Sequence, residues 1–134
     1  MLKFTELNTA AVAALFPQAE HTALHHFPDA QPVLTIQDGD TPIGYALLQQ
    51  EANRAWLRHI YIAEPYRRQY LGKTLMGVVA SKAVQWQQWQ LFAHAPADTV
   101  AAAFCQAVGF VPLASDATVL ALDLTDPTGM RHGK

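Results

Sequence analysis

Three basic side chains, Arg67, Arg68 and Lys73, crowd the point where a strand-forming run gives way to a helix-forming one. The stretch reads Ile60-Tyr61-Ile62-Ala63-Glu64-Pro65-Tyr66-Arg67-Arg68-Gln69-Tyr70-Leu71-Gly72-Lys73-Thr74-Leu75. A helix that begins here presents first-turn N–H groups with no acceptor inside the helix, at the positive end of its dipole. Such a terminus binds phosphate-like anions. An anion is therefore the ligand this segment predicts, weighed against a merely solvated basic loop. Gly72-Lys73-Thr74 also has the ending of a nucleotide P-loop, but that motif needs a glycine five residues earlier, where Arg67 stands. A second cluster, His21 and His25 with Glu20 and His26 alongside, has the i, i+4 spacing of a metal pair on a helix. It lacks a matched third ligand elsewhere, so no metal is expected.

Elements that would position the anion site follow from periodicity and turn chemistry. Lys3 to Leu7 suits a short first strand; Asn8 or Thr9 can cap an Ala-rich helix that Pro17 ends, and a second helical stretch runs from about Gln18 to His26. Pro32 to Ile36 reads as a strand, Asp38-Gly39-Asp40-Thr41 as a hairpin turn, and Ile43 to Leu48 as the returning strand. Arg54 to Ile62 has high β-propensity. From Tyr70 to Trp86, Leu71, Leu75, Val78, Val79 and Trp86 recur at helical spacing, and Trp86 and Trp89 are expected to pack that helix onto the sheet. Gln90 to Ala95 is a short strand, Asp98 an N-cap, Gly109 a C′ residue, and Thr118 to Leu124 a closing strand. The pattern predicts one α/β domain over 1–124, not doubly wound, with a flexible tail over 125–134.

Composition excludes several classes. The chain has 134 residues, 51% of them apolar, and a formal charge of −2, which gives no basic excess for a nucleic-acid backbone. Its longest apolar run, Ala10 to Phe16, is far short of the roughly 20 residues a spanning helix needs. No membrane or nucleic-acid partner is expected. A single cysteine, Cys105, forms no internal disulfide, which suits a cytoplasmic home. The apolar share on so short a chain points to a homodimer surface.

The junction resembles motif A of the GNAT superfamily of acyl-CoA-dependent N-acyltransferases: Arg or Gln, two residues, Gly, one residue, Gly or Ala, filled here by Arg67 to Gly72. Tyr70 stands where the first glycine is usual. A second stretch, Asp98-Thr-Val-Ala101-Ala-Ala-Phe104-Cys105-Gln106-Ala107-Val108-Gly109-Phe110, is similar to the family's second cofactor-side helix. The element order matches as well, so the resemblance spans about Leu2 to Leu124 and implies a GNAT-like, mostly antiparallel central sheet flanked by helices.

The resemblance implies an acetyl-CoA-dependent N-acetyltransferase acting on a small-molecule or peptide amine by direct attack in a ternary complex. Amides of Arg67, Arg68, Gln69, Tyr70, Leu71, Gly72, Lys73 and Thr74 would cradle the cofactor's diphosphate. Ile60 and Ile62 would hold its pantetheine arm, and Asp98 and Phe104 would contribute from the second helix. The general acid of many members is a tyrosine at the position of Cys105, whose thiol can protonate a thiolate of similar pKa; Tyr61 and Tyr70 are alternatives. Family bases fall here on Trp56 and Arg58, which cannot accept a proton. His59 and Glu64 lie nearby, His59 facing away from Arg58 unless a bulge re-aims it. Phe16, His25 and Phe27 would face the acceptor, and His94 would end a strand beside the cofactor. Tyr70, Cys105 and the missing base equally suit a non-catalytic module that senses CoA or acetyl-CoA and signals to a protein partner.

Overall fold

Asn8 closes the first strand and opens the first helix, its side-chain oxygen accepting the Ala11 N–H at 2.8 Å as an N-cap. The computed structural model describes residues 1–17, 19, 22–28, 30–67 and 70–124. The predicted tail over 125–134 lies outside them, as do Glu20 and His21 of the histidine cluster. Strand β1 (Leu2–Leu7) is followed by α1 (Thr9–Leu15), α2 (Thr22–His25), β2 (Val33–Asp38), β3 (Thr41–Glu51) and β4 (Arg54–Ile62). Then come α3 (Leu71–Gln85), β5 (Gln90–His94), α4 (Thr99–Val108), β6 (Val111–Pro112) and β7 (Val119–Asp123).

The seven strands hydrogen-bond in the order β1-β2-β3-β4-β5-β7-β6. The β1–β2, β2–β3, β5–β7 and β6–β7 pairs are antiparallel. The β4–β5 pair is parallel, joining Ala55 to Leu91 and Trp56 to Phe92, and α3 lies in the crossover such a pair requires. The result is a mixed α/β architecture with a mostly antiparallel sheet and flanking helices. Among the described residues no helix is long and apolar enough to cross a membrane.

Contacts divide the chain into two compact units, residues 1–49 with 57–79, and residues 50–56 with 80–134. In the first, α1 and α2 lay Val12, Phe16, Leu24 and Phe27 against Val33 of β2 and Tyr45 and Leu47 of β3. Each of these is at most 5% exposed, and burial of a side chain of this size contributes roughly 1.5–3 kcal/mol. In the second, Phe92, Val119 and Ala121 form a smaller core with Trp56 and Leu113. There Trp56 stacks on His94 with ring centres 4.9 Å apart, and the Arg54 guanidinium lies 4.4 Å from the centre of the Phe92 ring.

Several elements depart from expectation for local reasons. The second helix spans Thr22–His25 and ends ahead of Pro28, while Gln18, Glu20 and His21 of its expected start lie outside the described residues. The long helix starts at Leu71 and ends at Gln85, so Trp86 and Trp89 both lie beyond it, and Trp89 is 44% exposed. What α3 buries is the stripe Leu75, Met76, Val79 and Ala83. The β3–β4 hairpin turns on Ala52 and Asn53, both with positive φ (54° and 61°), as a two-residue type I′ turn demands. A bulge between Ile36 and Gln37 shifts the β2–β3 register opposite Pro42, which has no N–H to give the ladder.

Gly44 on β3 sits against the backbone of β4. A Cβ there would collide with the carbonyl oxygen of Tyr61 and lie 2.7 Å from Cδ1 of Ile62. Gly44→Ala is expected to cost about 2 kcal/mol, the scale of overpacking against an unyielding neighbour. Urea denaturation checks this, and an unchanged midpoint would contradict the close approach of the two strands.

Candidate active site

The residues that carry the anion-binding expectation lie where β4 ends and α3 begins, in the first unit. On β4, side chains of adjacent residues should point to opposite faces. Arg58 Nε donates to Gln49 Oε1 at 2.9 Å, while the ring of the next residue, His59, lies 6.0 Å from that of Tyr45. Tyr45 and Gln49 alternate onto one face of β3, so Arg58 and His59 share that face. The alternation must break between them, as at a β-bulge. The expectation that His59 faces away from Arg58 is therefore corrected, by the irregularity that was its stated exception.

Beyond the break, Tyr61 follows His59 onto the helix-covered face. Its ring packs 5.8 Å from Phe16, edge-on at 81°, and 5.6 Å from Tyr45. Phe16 and Phe27, expected to face an acceptor, are buried in the core beside this aromatic group, at 4% and 5% exposure. His25 is exposed and lines a separate hollow of about 250 Å³ with Thr9, Ala10, Ala13 and Leu24. Among the described residues no group of His, Cys, Asp and Glu is arranged to hold a metal ion.

The chain then reverses. Ala63 N–H donates to the Ile43 carbonyl at 2.7 Å, the last tie of β4 to β3. Pro65 lies in the first positions of a single 3-10 turn, Glu64–Tyr66, where its missing N–H costs nothing. Tyr66 N–H returns to the Ala63 carbonyl at 2.9 Å, and Arg67 N–H to that of Glu64 at 3.2 Å. Arg67 folds back further: its Nε donates to the Ile62 carbonyl at 2.8 Å, and its guanidinium lies 5.7 Å from the centre of the Tyr61 ring. This side chain braces the reversal. Glu64 is exposed at the start of the turn, and Arg68 and Gln69 lie outside the described residues.

Tyr70 is the hinge into the helix. Its backbone is left-handed, with φ +61°, a conformation that glycine adopts freely and tyrosine rarely. Its carbonyl accepts both the N–H and the hydroxyl of Thr74, each at 3.1 Å, which starts α3. The phenol ring is 77% exposed and stands out from the helix start, with Lys73 Nζ 5.9 Å from its centre. Leu71, Gly72 and Lys73 form the first turn, where amides lack helical acceptors, and no acidic residue lies there to compete for them. Ile60 and Ile62 are half-buried on the strand that leads in.

In the second unit, α4 is bounded by its own caps. Asp98 Oδ2 accepts the Ala101 N–H at 2.9 Å, and Gly109, with φ +108°, ends the helix by donating back to its last carbonyls. Asp98 thus has a helix-capping duty that the sequence pattern serves whatever else it does. Phe104 and Cys105 are half-buried on this helix, and burial pushes the Cys105 thiol above its ordinary pKa, which keeps it protonated at neutral pH. His94 ends β5 as expected, but its ring is stacked on Trp56.

Residues 1–110 match the model of the Acetyltransferase (GNAT) family. No curated protein matches the chain in sequence. Among solved structures, the ribosomal-protein-S18-alanine N-acetyltransferase of Escherichia coli superposes with a TM-score of 0.69 at 16% identity, covering 92% of this chain and 94% of that one. A GNAT-family acetyltransferase of Staphylococcus aureus gives 0.71 at 14%, covering 93% and 100%, and an IAA acetyltransferase of Bacillus cereus gives 0.69 at 16%, covering 92% and 100%. At these identities the superpositions speak for the fold, and the family match covers most of the sequence. The chain belongs to the GNAT acetyltransferase family.

Proposed function

We propose that this protein transfers the acetyl group of acetyl-CoA to a primary amine by direct attack within a ternary complex. The observation that carries this is the left-handed backbone of Tyr70, φ +61°, where the family pattern has its first glycine. The glycine conformation is kept although the glycine is not, and the exposed ring leaves the helix start open to a diphosphate. The amides of Leu71, Gly72 and Lys73, with those of the preceding loop, take the diphosphate oxygens. Lys73 adds charge. Arg67, whose Nε holds the Ile62 carbonyl, serves by bracing this loop.

Along β4, backbone groups near Ile60 and Ile62 hold the pantetheine arm and polarise the thioester carbonyl. The neutral amine attacks the carbonyl carbon, a C–N bond forms, and the tetrahedral intermediate expels the thiolate as the C–S bond breaks. The sulfur takes a proton from an acid, for which the family resemblance points to Cys105 and the strand itself offers Tyr61. The proton lost by the amine passes to water or to His59 or Glu64. Asp98 and Phe104 act through the α4 framework that carries Cys105.

Acetyl-CoA and a panel of polyamines, amino acids, aminoglycosides and peptides, followed by release of the CoA thiol, test the reading. Turnover with at least one amine is expected; binding of acetyl-CoA without turnover on any would favour a sensing module. Tyr70→Gly is expected to raise stability by about 1 kcal/mol, by removing the left-handed penalty, while acetyl-CoA binding persists. If Cys105 is the acid, kcat falls on the alkaline side as the thiol ionises, at a higher pH than an ordinary cysteine because burial raises its pKa. Cys105→Ala should lower kcat and abolish that limb; an unchanged profile would leave Cys105 as packing.

A further inference from the structure

Tyr70 carries more than its turn requires. The left-handed backbone at this position, φ +61°, is one that glycine adopts freely and a bulky side chain adopts only at a cost. Residues held in such a conformation cluster at ligand-binding sites, where the surroundings offset the strain. What tyrosine adds over glycine is the ring. At 77% exposure it is the most exposed of the Phe, Trp and Tyr side chains, ahead of Phe4 at 48% and Trp89 at 44%.

The ring also has a neighbour that suits it to a ligand. Lys73, three residues on and so on the same side of the helix start, holds its Nζ over the ring, 5.9 Å from the centre. That contact steadies the phenol against the first turn of α3 and sets an ammonium beside it. An exposed aromatic face flanked by a cation is what a nucleotide calls for: its base stacks on the ring and its phosphates meet the charge. No acidic residue lies in the first turn of α3 to repel those phosphates.

Position says which nucleotide. Leu71, Gly72 and Lys73, whose amides are proposed to take the diphosphate of acetyl-CoA, follow Tyr70 directly. In that donor a single phosphorylated ribose joins the diphosphate to adenine. With the thioester arm running back along β4, a side chain at the edge of the diphosphate site meets the nucleotide end.

From this we infer that Tyr70 is the adenine platform of the acetyl donor: the adenine ring stacks on the exposed phenol, and Lys73 pairs with the phosphates beside it. The inference rests on the proposed binding of the diphosphate at the start of α3 and extends it to a side chain that the diphosphate does not itself need. The phenol acts through its face, so its hydroxyl is dispensable.

The test titrates acetyl-CoA calorimetrically into wild type, Tyr70→Phe and Tyr70→Gly, and reads the fluorescence of each protein saturated with etheno-CoA, whose modified adenine is quenched by stacking. Binding in Tyr70→Gly is expected to persist through the amides but about tenfold weaker, the scale of one base on an aromatic ring, and to be unchanged in Tyr70→Phe. Bound etheno-CoA should be quenched by wild type and Tyr70→Phe and bright on Tyr70→Gly. Equal affinity in Tyr70→Gly, or a quench that it retains, overturns the inference while leaving acetyl-CoA at the helix start. A loss in Tyr70→Phe as large as in Tyr70→Gly overturns it too, because the hydroxyl then makes the contact. Failure of the wild type to bind acetyl-CoA would instead defeat the underlying reading.

Discussion

The first N–H groups of an α-helix have no acceptor within the helix, and where they point determines what the helix start can hold. In this protein the start of α3 is aimed by the end of β4 through a short, heavily tied reversal. Ala63 is held to Ile43, Arg67 to Ile62, and Thr74 to the carbonyl of a left-handed Tyr70. Remove the reversal and the basic residues of this stretch become an ordinary solvated loop. With it, strand, turn and helix make one edge with free first-turn amides, the edge at which we propose the charged end of the acetyl donor binds.

The same strand carries a second constraint. A regular β4 would send Arg58 and His59 to opposite faces, leaving the helix-covered side without one of them. The break between them gathers Arg58, His59 and Tyr61 over β3, above the aromatic pair of Phe16 and Tyr45. Gly44 makes this possible on the β3 side, because only a residue without Cβ lets the Tyr61 carbonyl come so near. The reversal into α3 and this side-chain cluster are thus two products of one strand: its backbone end leads to the helix start, and Arg58, His59 and Tyr61 share a face.

Much of this was legible in the residue order. Strand β4 falls on Arg54 to Ile62 as its β-branched and aromatic content predicts, Asn8 and Asp98 cap the helices they precede, and Gly109 ends α4 in the left-handed conformation. These signals are local, and local physics decides them. What escaped was set by tertiary context. Nothing in tyrosine announces a positive φ at position 70, Val111–Pro112 is too short a strand for any periodic signal, and the burial of Phe16 and Phe27 in the core, Phe27 also lining a hollow, is set by packing. The bulge after Arg58 leaves no mark in composition, and neither does the bond by which Arg67 Nε holds the Ile62 carbonyl.

The most direct measurement is calorimetric titration of the ligand-free protein with acetyl-CoA, with ATP as the control and Gly72→Glu as the comparison. Saturable binding of acetyl-CoA with no binding of ATP, lost in Gly72→Glu where a carboxylate meets the diphosphate, is the result this account predicts. Absence of acetyl-CoA binding, or binding that Gly72→Glu leaves intact, would contradict the placement of the donor at the start of α3.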